Sequence, residues 1–250
     1  MGHGTRHEAG LAELHELARE VGKLMPAAVV NSCFLELAPP TIAEGLEAMV
    51  AQGVRRVIAA PIMLLSAQHV QVDIPEELAA AAANFPEIEV GIAGHLGCHE
   101  KMVELSNLRY AESFANHDAQ PKRTLLVMVG RGSHDAGALQ ELEQFTGLCV
   151  AERNVSQAQI GYLAMAKPPL DAVLEDAGTQ SFDRVVVQPH LLFEGVLLER
   201  LRTRVAEYRE RHPQIEWVLA ERLGPHRLVA ESIANRVEHA RAASDSHSPR

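Results

Sequence analysis

Two histidines and one glutamate in the first half of the chain are residues that could bind a metal ion. His3 is the third residue, Glu36 stands near the end of the apolar stretch 27–37, and His69 follows the apolar run 57–65. Two imidazoles and a carboxylate suit a borderline divalent ion such as Co²⁺, Fe²⁺, Ni²⁺ or Zn²⁺. The same groups can also take up protons, because histidine changes charge near neutral pH.

The chain is an internal duplication with an offset of 128 residues, which becomes 127 after a deletion beside Gly195. A repeat of this length is too long for a solenoid and indicates two duplicated domains. Identical residues carry the register in both halves: Pro40 and Pro168, Leu46 and Leu174, Arg56 and Arg184, Pro61 and Pro189, His99 and His226.

The second half lacks the three residues that could do chemistry. Arg131 stands in the place of His3, Ala164 in that of Glu36, and Val196 in that of His69. Because the fold is repeated without them, we expect His3 and His69 to serve a site, and Glu36 shares their asymmetry. His99 and His226 are kept in both halves, which favours hydrogen bonding at the start of the last helix over a role in lining the cleft between lobes.

Apolar runs alternate with helical periodicity in both halves, which indicates parallel sheets covered by helices. The prediction is an α/β fold with two similar lobes, each a parallel four-stranded sheet with helices on both faces. The N-terminal lobe is expected over 1–113 and the degenerate C-terminal lobe over 124–242, with a linker at 114–123 and a polar tail at 243–250. Ligands bind at the carboxyl ends of such strands, where His3, Glu36 and His69 are expected.

The opening strand of the first lobe is expected to be missing. A clear strand, Leu125–Val129, leads into Gly130, whereas Met1 stands directly before the matching Gly2. Either the start is truncated or mis-assigned, or the sheet is one strand short. We favour the first explanation, because a lost central strand would leave backbone groups of the ladder unpaired.

The composition is that of a globular protein and argues against several classes of partner. The 250 residues are 47% hydrophobic, and the formal net charge is −10. That charge and the 4% aromatic content argue against nucleic acid. Three cysteines without CxxC spacing fit a reducing cytoplasm, and no membrane span is expected. The chain has neither a phosphate-binding GxxxxGK[ST] loop nor a GxGxxG motif opening a helix, so neither ATP nor NAD is expected.

The ordered motifs GHGTR, FLELAPPTIAEGL, PIMLLSAQHVQVDIP and GRGSHD, followed by VVVQPHLLFEGVLLERL, cover nearly the whole chain. They resemble the CbiX-type sirohydrochlorin cobaltochelatases, the ATP-independent class II chelatases, in their long two-lobe form. Siroheme ferrochelatases are closely similar. The resemblance implies insertion of a divalent metal, Co²⁺ first and Fe²⁺ or Ni²⁺ as alternatives, into sirohydrochlorin in cobalamin biosynthesis. It maps the family's metal-binding, catalytic histidines onto His3 and His69, although Gln68 replaces a usual glycine.

The resemblance also implies a large, flat substrate that carries carboxylates and loses its inner N–H protons when metal enters. Glu36 or a histidine is expected to receive these protons, and water or Glu36 to complete the metal shell. Arg6 and Arg131 are candidates to meet substrate carboxylates with paired donors. Gly4 would let the backbone approach the macrocycle closely.

Two other functions stay open as alternatives to a cobaltochelatase or a ferrochelatase. A phosphatase with a histidine nucleophile would expect arginine before the histidine, where Gly2 stands. A non-catalytic metal or tetrapyrrole carrier would bind the same ligands without inserting metal. Either a monomer or a homodimer fits the sequence.

Overall fold

The computed structural model describes residues 1–5, 7–114 and 123–247, without the side chains of His69 and His247. The chain forms two compact units, Met1–Met102 with Pro225–Arg250 and Val103–Gly224. This division differs from the predicted lobes, because most of the last helix of each repeat packs within the unit of the other half. The ranges 1–113 and 124–242 stay a prediction about the duplication, and the predicted linker lies mostly outside the described residues.

From residue 56 onwards strands and helices alternate along the described chain, as predicted, whereas the first two helices have no strand between them. The helices are α1 (Glu8–Leu24), α2 (Ile42–Ala51), α3 (Ile74–Ala82), α4 (Glu100–Glu112), α5 (Ala136–Ala151), α6 (Leu170–Thr179), α7 (Val196–Arg211) and α8 (Arg227–His247). The strands are β1 (Arg56–Ala59), β2 (Glu89–Ile92), β3 (Thr124–Gly130), β4 (Gln157–Tyr162), β5 (Arg184–Pro189) and β6 (Glu216–Leu219). Within the described ranges, each helix is too short or too polar to cross a membrane.

The second unit contains the predicted four-stranded parallel sheet, in the order β4-β3-β5-β6. β3 lies in its centre, and Leu125–Val129 are completely buried. A continuous apolar run is what a parallel strand covered on both faces requires. α5 is the next element after β3, and the carboxylate of its N-cap residue Asp135 accepts hydrogen bonds from the N–H groups of Gly137 and Ala138. The α/β class with parallel sheets is confirmed.

The sheet of the first unit is shorter than predicted. β1 and β2 form a two-stranded parallel sheet. The predicted strand at 27–37 is reduced to Phe34, which bridges Gly2 and Thr41. Residues 29–33 are not in a strand, because in the described part of the chain no strand lies between them and β1.

The C-terminal helix continues beyond the predicted start of a polar tail. α8 reaches His247, so residues 243–247 of the predicted polar tail are helical. Two contacts support this end of the helix: Asp245 Oδ1 lies 2.6 Å from Arg56 Nη1, and the Ser244 hydroxyl donates to the Ala240 carbonyl. α8 packs along α1, whose buried face includes Leu14, Leu17 and Val21.

Candidate functional site

His3 and Glu36, two of the predicted site residues, lie together in the first unit. His3 Nε2 is 3.2 Å from Glu36 Oε1, and the side chains are 23% and 53% exposed. The backbone causes this approach. Gly2 N–H donates to the Cys33 carbonyl, and Glu36 N–H donates to the His3 carbonyl, both at 3.0 Å. An imidazole and a carboxylate are thus held side by side within reach of solvent.

The remaining predicted ligand, His69, opens a π-helical turn, His69–Asp73, which leads into α3. Its side chain is outside the described part of the structure, so a shared site with His3 stays a prediction. Its counterpart Val196 begins α7 and is 53% exposed. Among the described residues, no group of three or more His, Cys, Asp or Glu side chains is placed to hold a metal ion.

Gly4 has a role in the loop itself. Its φ is +98°, and an added Cβ would lie 1.8 Å from the Glu36 carbonyl oxygen. Gly132 repeats this arrangement with φ +97° and a Cβ position 1.7 Å from the Ala164 oxygen. Because the half without the candidate ligands keeps the glycine, the loop alone explains it. Contact between Gly4 and a ligand stays a prediction.

Gly132→Ala is expected to lower the free energy of unfolding by about 2 kcal/mol, because a side chain must enter a left-handed conformation against a backbone carbonyl. Urea unfolding followed by circular dichroism measures this loss. Gly147→Ala is the matched control, since Gly147 lies in α5 with open space around its Cβ position. That helical change is expected to be neutral or stabilising. Equal stability of the Gly132 variant and the wild type would contradict the argument.

The structure says less about the two arginines that were predicted to bind substrate carboxylates. Arg131 follows β3 in the second unit and is exposed, and its carbonyl accepts a hydrogen bond from Ala164 N–H at 2.9 Å. Arg6 lies outside the described residues. A role for either side chain with substrate carboxylates stays a prediction.

His99 and His226 have the same structural role in the two repeats. His99 Nδ1 accepts a hydrogen bond from the Lys101 N–H at 3.1 Å, and His226 Nδ1 accepts one from Leu228 N–H at 3.2 Å. Each ring thus satisfies an N–H group in the first turn of a final helix. Burial, and next the charge of Arg236, lowers the pKa of His99. These bonds agree with the expectation that the histidine repeated in both halves stabilises the start of the last helix.

His190 is buried in the second unit, which could not be predicted from the sequence. It follows β5 directly and is 4% exposed, and its ring centroid lies 4.3 Å from that of Phe145. Neither ring nitrogen has a hydrogen-bond partner among the described residues. The ring therefore packs into the core of the second unit.

Known proteins resemble the chain along almost its whole length. The CbiX family model matches residues 1–113 and 125–240. A sirohydrochlorin cobaltochelatase of Priestia megaterium is 30% identical over 95% of this chain and 78% of its own length. A sirohydrochlorin ferrochelatase of the same organism is 31% identical over 94% of this chain and 87% of its own. The solved structure of SirB from Bacillus subtilis with Fe³⁺ is 26% identical, with a TM-score of 0.83 over 98% of this chain and 95% of that one. The chain belongs to the CbiX family.

Proposed function

We propose that this protein is a sirohydrochlorin chelatase that inserts a divalent metal, Co²⁺ in the first instance, without ATP. The observation that carries the proposal is the pair formed by His3 and Glu36, in a chain whose relatives of similar length are named sirohydrochlorin chelatases. The metal ion and the tetrapyrrole are both substrates, and the protein brings them together.

The spacing of the pair is compatible with one ion bound by both groups. Two donors at right angles, each about 2.1 Å from a metal, lie roughly 3.0 Å apart. The separation of 3.2 Å between His3 Nε2 and Glu36 Oε1 is close to that value. We propose that His69 supplies a further imidazole and water the remaining positions, which leaves ligands that can be exchanged for the macrocycle nitrogens.

Metal entry must also remove the inner N–H protons of the macrocycle. Glu36 is half exposed, so a proton that its carboxylate receives can pass on to water. The imidazoles bind metal in their neutral form, and insertion is therefore expected to weaken as pH falls through the histidine range. Arg6 and Arg131 are proposed to hold substrate carboxylates, for which guanidinium groups have matching paired donors.

Glu36→Gln is expected to slow insertion about tenfold, because the amide keeps the shape but cannot accept the proton and binds the ion weakly. The change in tetrapyrrole absorption after Co²⁺ is added measures the rate. Glu16→Gln is the matched control, since Glu16 is exposed on α1. A rate for the Glu36 variant equal to that of the control would exclude a role for this carboxylate.

The proposal is tested by incubating the protein with sirohydrochlorin and Co²⁺ while the absorption spectrum is recorded. Insertion faster than in protein-free solution supports it. Binding without insertion would instead indicate a carrier, and an unchanged spectrum would overturn both readings.

A siroheme ferrochelatase is the second candidate, because one relative of nearly equal identity carries that name. Competition between Co²⁺, Fe²⁺ and Ni²⁺ in the same assay distinguishes the two activities. The preferred metal is the one whose product forms fastest at equal concentrations.

A further inference from the structure

A turn directly after Glu36 holds an apolar residue in an unusual conformation. Leu37 has a φ of +65°, and the Ala38 N–H donates to the Glu36 carbonyl at 2.9 Å. This bond closes a three-residue turn with Leu37 at its centre, in the form that is rare and strained for a residue with a side chain. Leu37 is nevertheless 47% exposed. Backbone strain and an exposed leucine thus coincide at one residue.

The second unit repeats this turn at the equivalent position. Met165 has a φ of +56° and is also 47% exposed, and the Ala166 N–H donates to the Ala164 carbonyl at 2.7 Å. Among the described residues, Leu37 and Met165 are the two non-glycine residues with a positive φ. The repetition shows that the backbone of the turn belongs to the fold.

The fold does not explain the type of side chain at the tip of the turn. Glycine, asparagine or aspartate adopts a positive φ at lower cost than a large apolar residue. The two halves have leucine and methionine there instead. Single exposed apolar residues are ordinary on a protein surface. An exposed one at a strained position in both repeats indicates that its side chain has a use.

Backbone contacts fix the turn against the loop that carries His3. The Glu36 N–H donates to the His3 carbonyl at 3.0 Å. Gly4 lies so close to the turn that an added Cβ would be 1.8 Å from the Glu36 carbonyl oxygen and 3.5 Å from the Ala38 nitrogen. The position of Leu37 relative to the pair formed by His3 and Glu36 is therefore set by the backbone.

An apolar side chain at this position suits a flat tetrapyrrole. The faces of such a macrocycle are apolar, and its carboxylates lie at the rim. Sites for small molecules are lined mostly by apolar side chains, while a few polar groups fix the orientation of the ligand. A macrocycle that receives its metal from His3 and Glu36 extends beyond these two residues, and Leu37 is the exposed apolar residue that adjoins them in the chain.

We propose, on the basis of the function proposed above, that Leu37 packs against the apolar face of the tetrapyrrole and raises the affinity for it. The side chain is in water in the free protein and leaves water when the macrocycle binds, which is favourable. Because the backbone of the turn is already fixed, little conformational freedom is lost on binding. His3 and Glu36 bind the metal, and Leu37 binds the ring.

Leu37→Asn separates a role in binding from a role in the fold. Asparagine tolerates a positive φ, so the midpoint of urea unfolding is expected to stay the same or to rise. The dissociation constant for metal-free sirohydrochlorin, titrated by tetrapyrrole absorption, is expected to rise about tenfold. That change equals about 1.4 kcal/mol, as expected for burying roughly half of a leucine side chain. A residue that served the fold alone would not lose affinity while stability is kept.

Binding of Co²⁺ separates the contact with the ring from the metal site. Calorimetry without tetrapyrrole is expected to give the same Co²⁺ affinity for Leu37→Asn and the wild type, because leucine has no donor atom. Leu37→Met installs the residue of the second unit and is expected to keep the tetrapyrrole affinity within about twofold. Leu24→Asn is the control, since Leu24 is a similarly exposed leucine at the end of α1.

Three results would overturn the role of Leu37 and leave the proposed function standing. The first is unchanged tetrapyrrole affinity in Leu37→Asn, and the second is an equal loss in Leu24→Asn or Leu37→Met. The third is a parallel loss of Co²⁺ affinity, because the substitution would then have disturbed His3 and Glu36. A wild-type protein that binds no sirohydrochlorin would instead remove the proposed function, and the role of Leu37 with it.

Discussion

Replacing His3 by alanine is expected to slow cobalt insertion roughly a hundredfold or more while leaving the fold intact. The imidazole is one of the groups proposed to hold the ion, and the Glu36 carboxylate 3.2 Å away cannot retain a borderline divalent metal alone. The fold should tolerate the change, because the second half has Arg131 at the equivalent position. The insertion rate from tetrapyrrole absorption and the far-UV circular dichroism spectrum measure the two parts of this prediction.

Two further variants make the His3 experiment specific. His3→Arg installs the residue of the second half and is expected to fold normally and to lose insertion equally. His134→Ala is the control, because His134 is an exposed histidine that follows β3. A near-wild-type rate in His3→Ala with a native spectrum would remove His3 from the site.

A double variant tests whether His3 and His69 act on the same ion. If they do, the variant that lacks both histidines is expected to insert metal no more slowly than the poorer single variant, since the first loss already removes the bound ion. Multiplied losses would mean that the two rings act in separate steps. Because the experiment measures the insertion rate, it tests the role of His69 although the structure does not describe that side chain.

The fold of the second half could be predicted because its sequence patterns are complete. Leu125–Val129 is continuously apolar, and a strand buried on both faces needs nothing else to be recognised. The stretch 27–37 has a similar pattern, yet only Phe34 in it pairs as a strand residue would. A strand exists through its hydrogen-bonded neighbours, and the neighbour that stabilises β4 in the second unit is absent beside residues 29–33 of the first.

The assignment of the final helices to units could not be predicted. The apolar face of α4 or α8 indicates which side is buried, but not which sheet or helix covers it. Since the halves are duplicates, both units offer similar surfaces to such a helix. The structure assigns α8 to the first unit, where it packs along α1, and assigns most of α4 to the second.

The site was partly accessible from the sequence for a simple reason. His3 and Glu36 each follow the end of a parallel segment, and such ends meet at one edge of a sheet. The conformation that Gly4 adopts beside the Glu36 carbonyl could not be read from the motif alone. Its loop is defined by a contact between two segments that lie far apart in the chain.

The burial of His190 leads to the second large expected effect, on stability. The ring packs on Phe145 in the core of the second unit, and burial lowers its pKa from about 6.5 to about 4. A nearby carboxylate, Glu141, opposes this shift more weakly. The ring is therefore neutral in the folded protein, whereas in the unfolded chain it takes up a proton below pH 6.5.

The free energy of unfolding is accordingly expected to fall by about 3 kcal/mol through His190 alone between pH 6.5 and pH 4. The stabilising contribution is fully present above the unfolded pKa and is lost as pH falls towards the folded value. Urea unfolding at several pH values measures the whole dependence, to which other groups also contribute. The difference between wild type and His190→Leu isolates the contribution of this ring, because leucine has a similar volume and does not titrate.

The variant is expected to lose stability less steeply than the wild type on acidification, so that the two curves approach or cross below pH 6.5. His134→Gln is the control for removing a histidine at the surface, and the wild-type dependence should persist in it. Parallel curves for wild type and His190→Leu would mean that His190 takes up its proton in the folded state, and that the neutral, buried ring inferred from its packing on Phe145 is wrong.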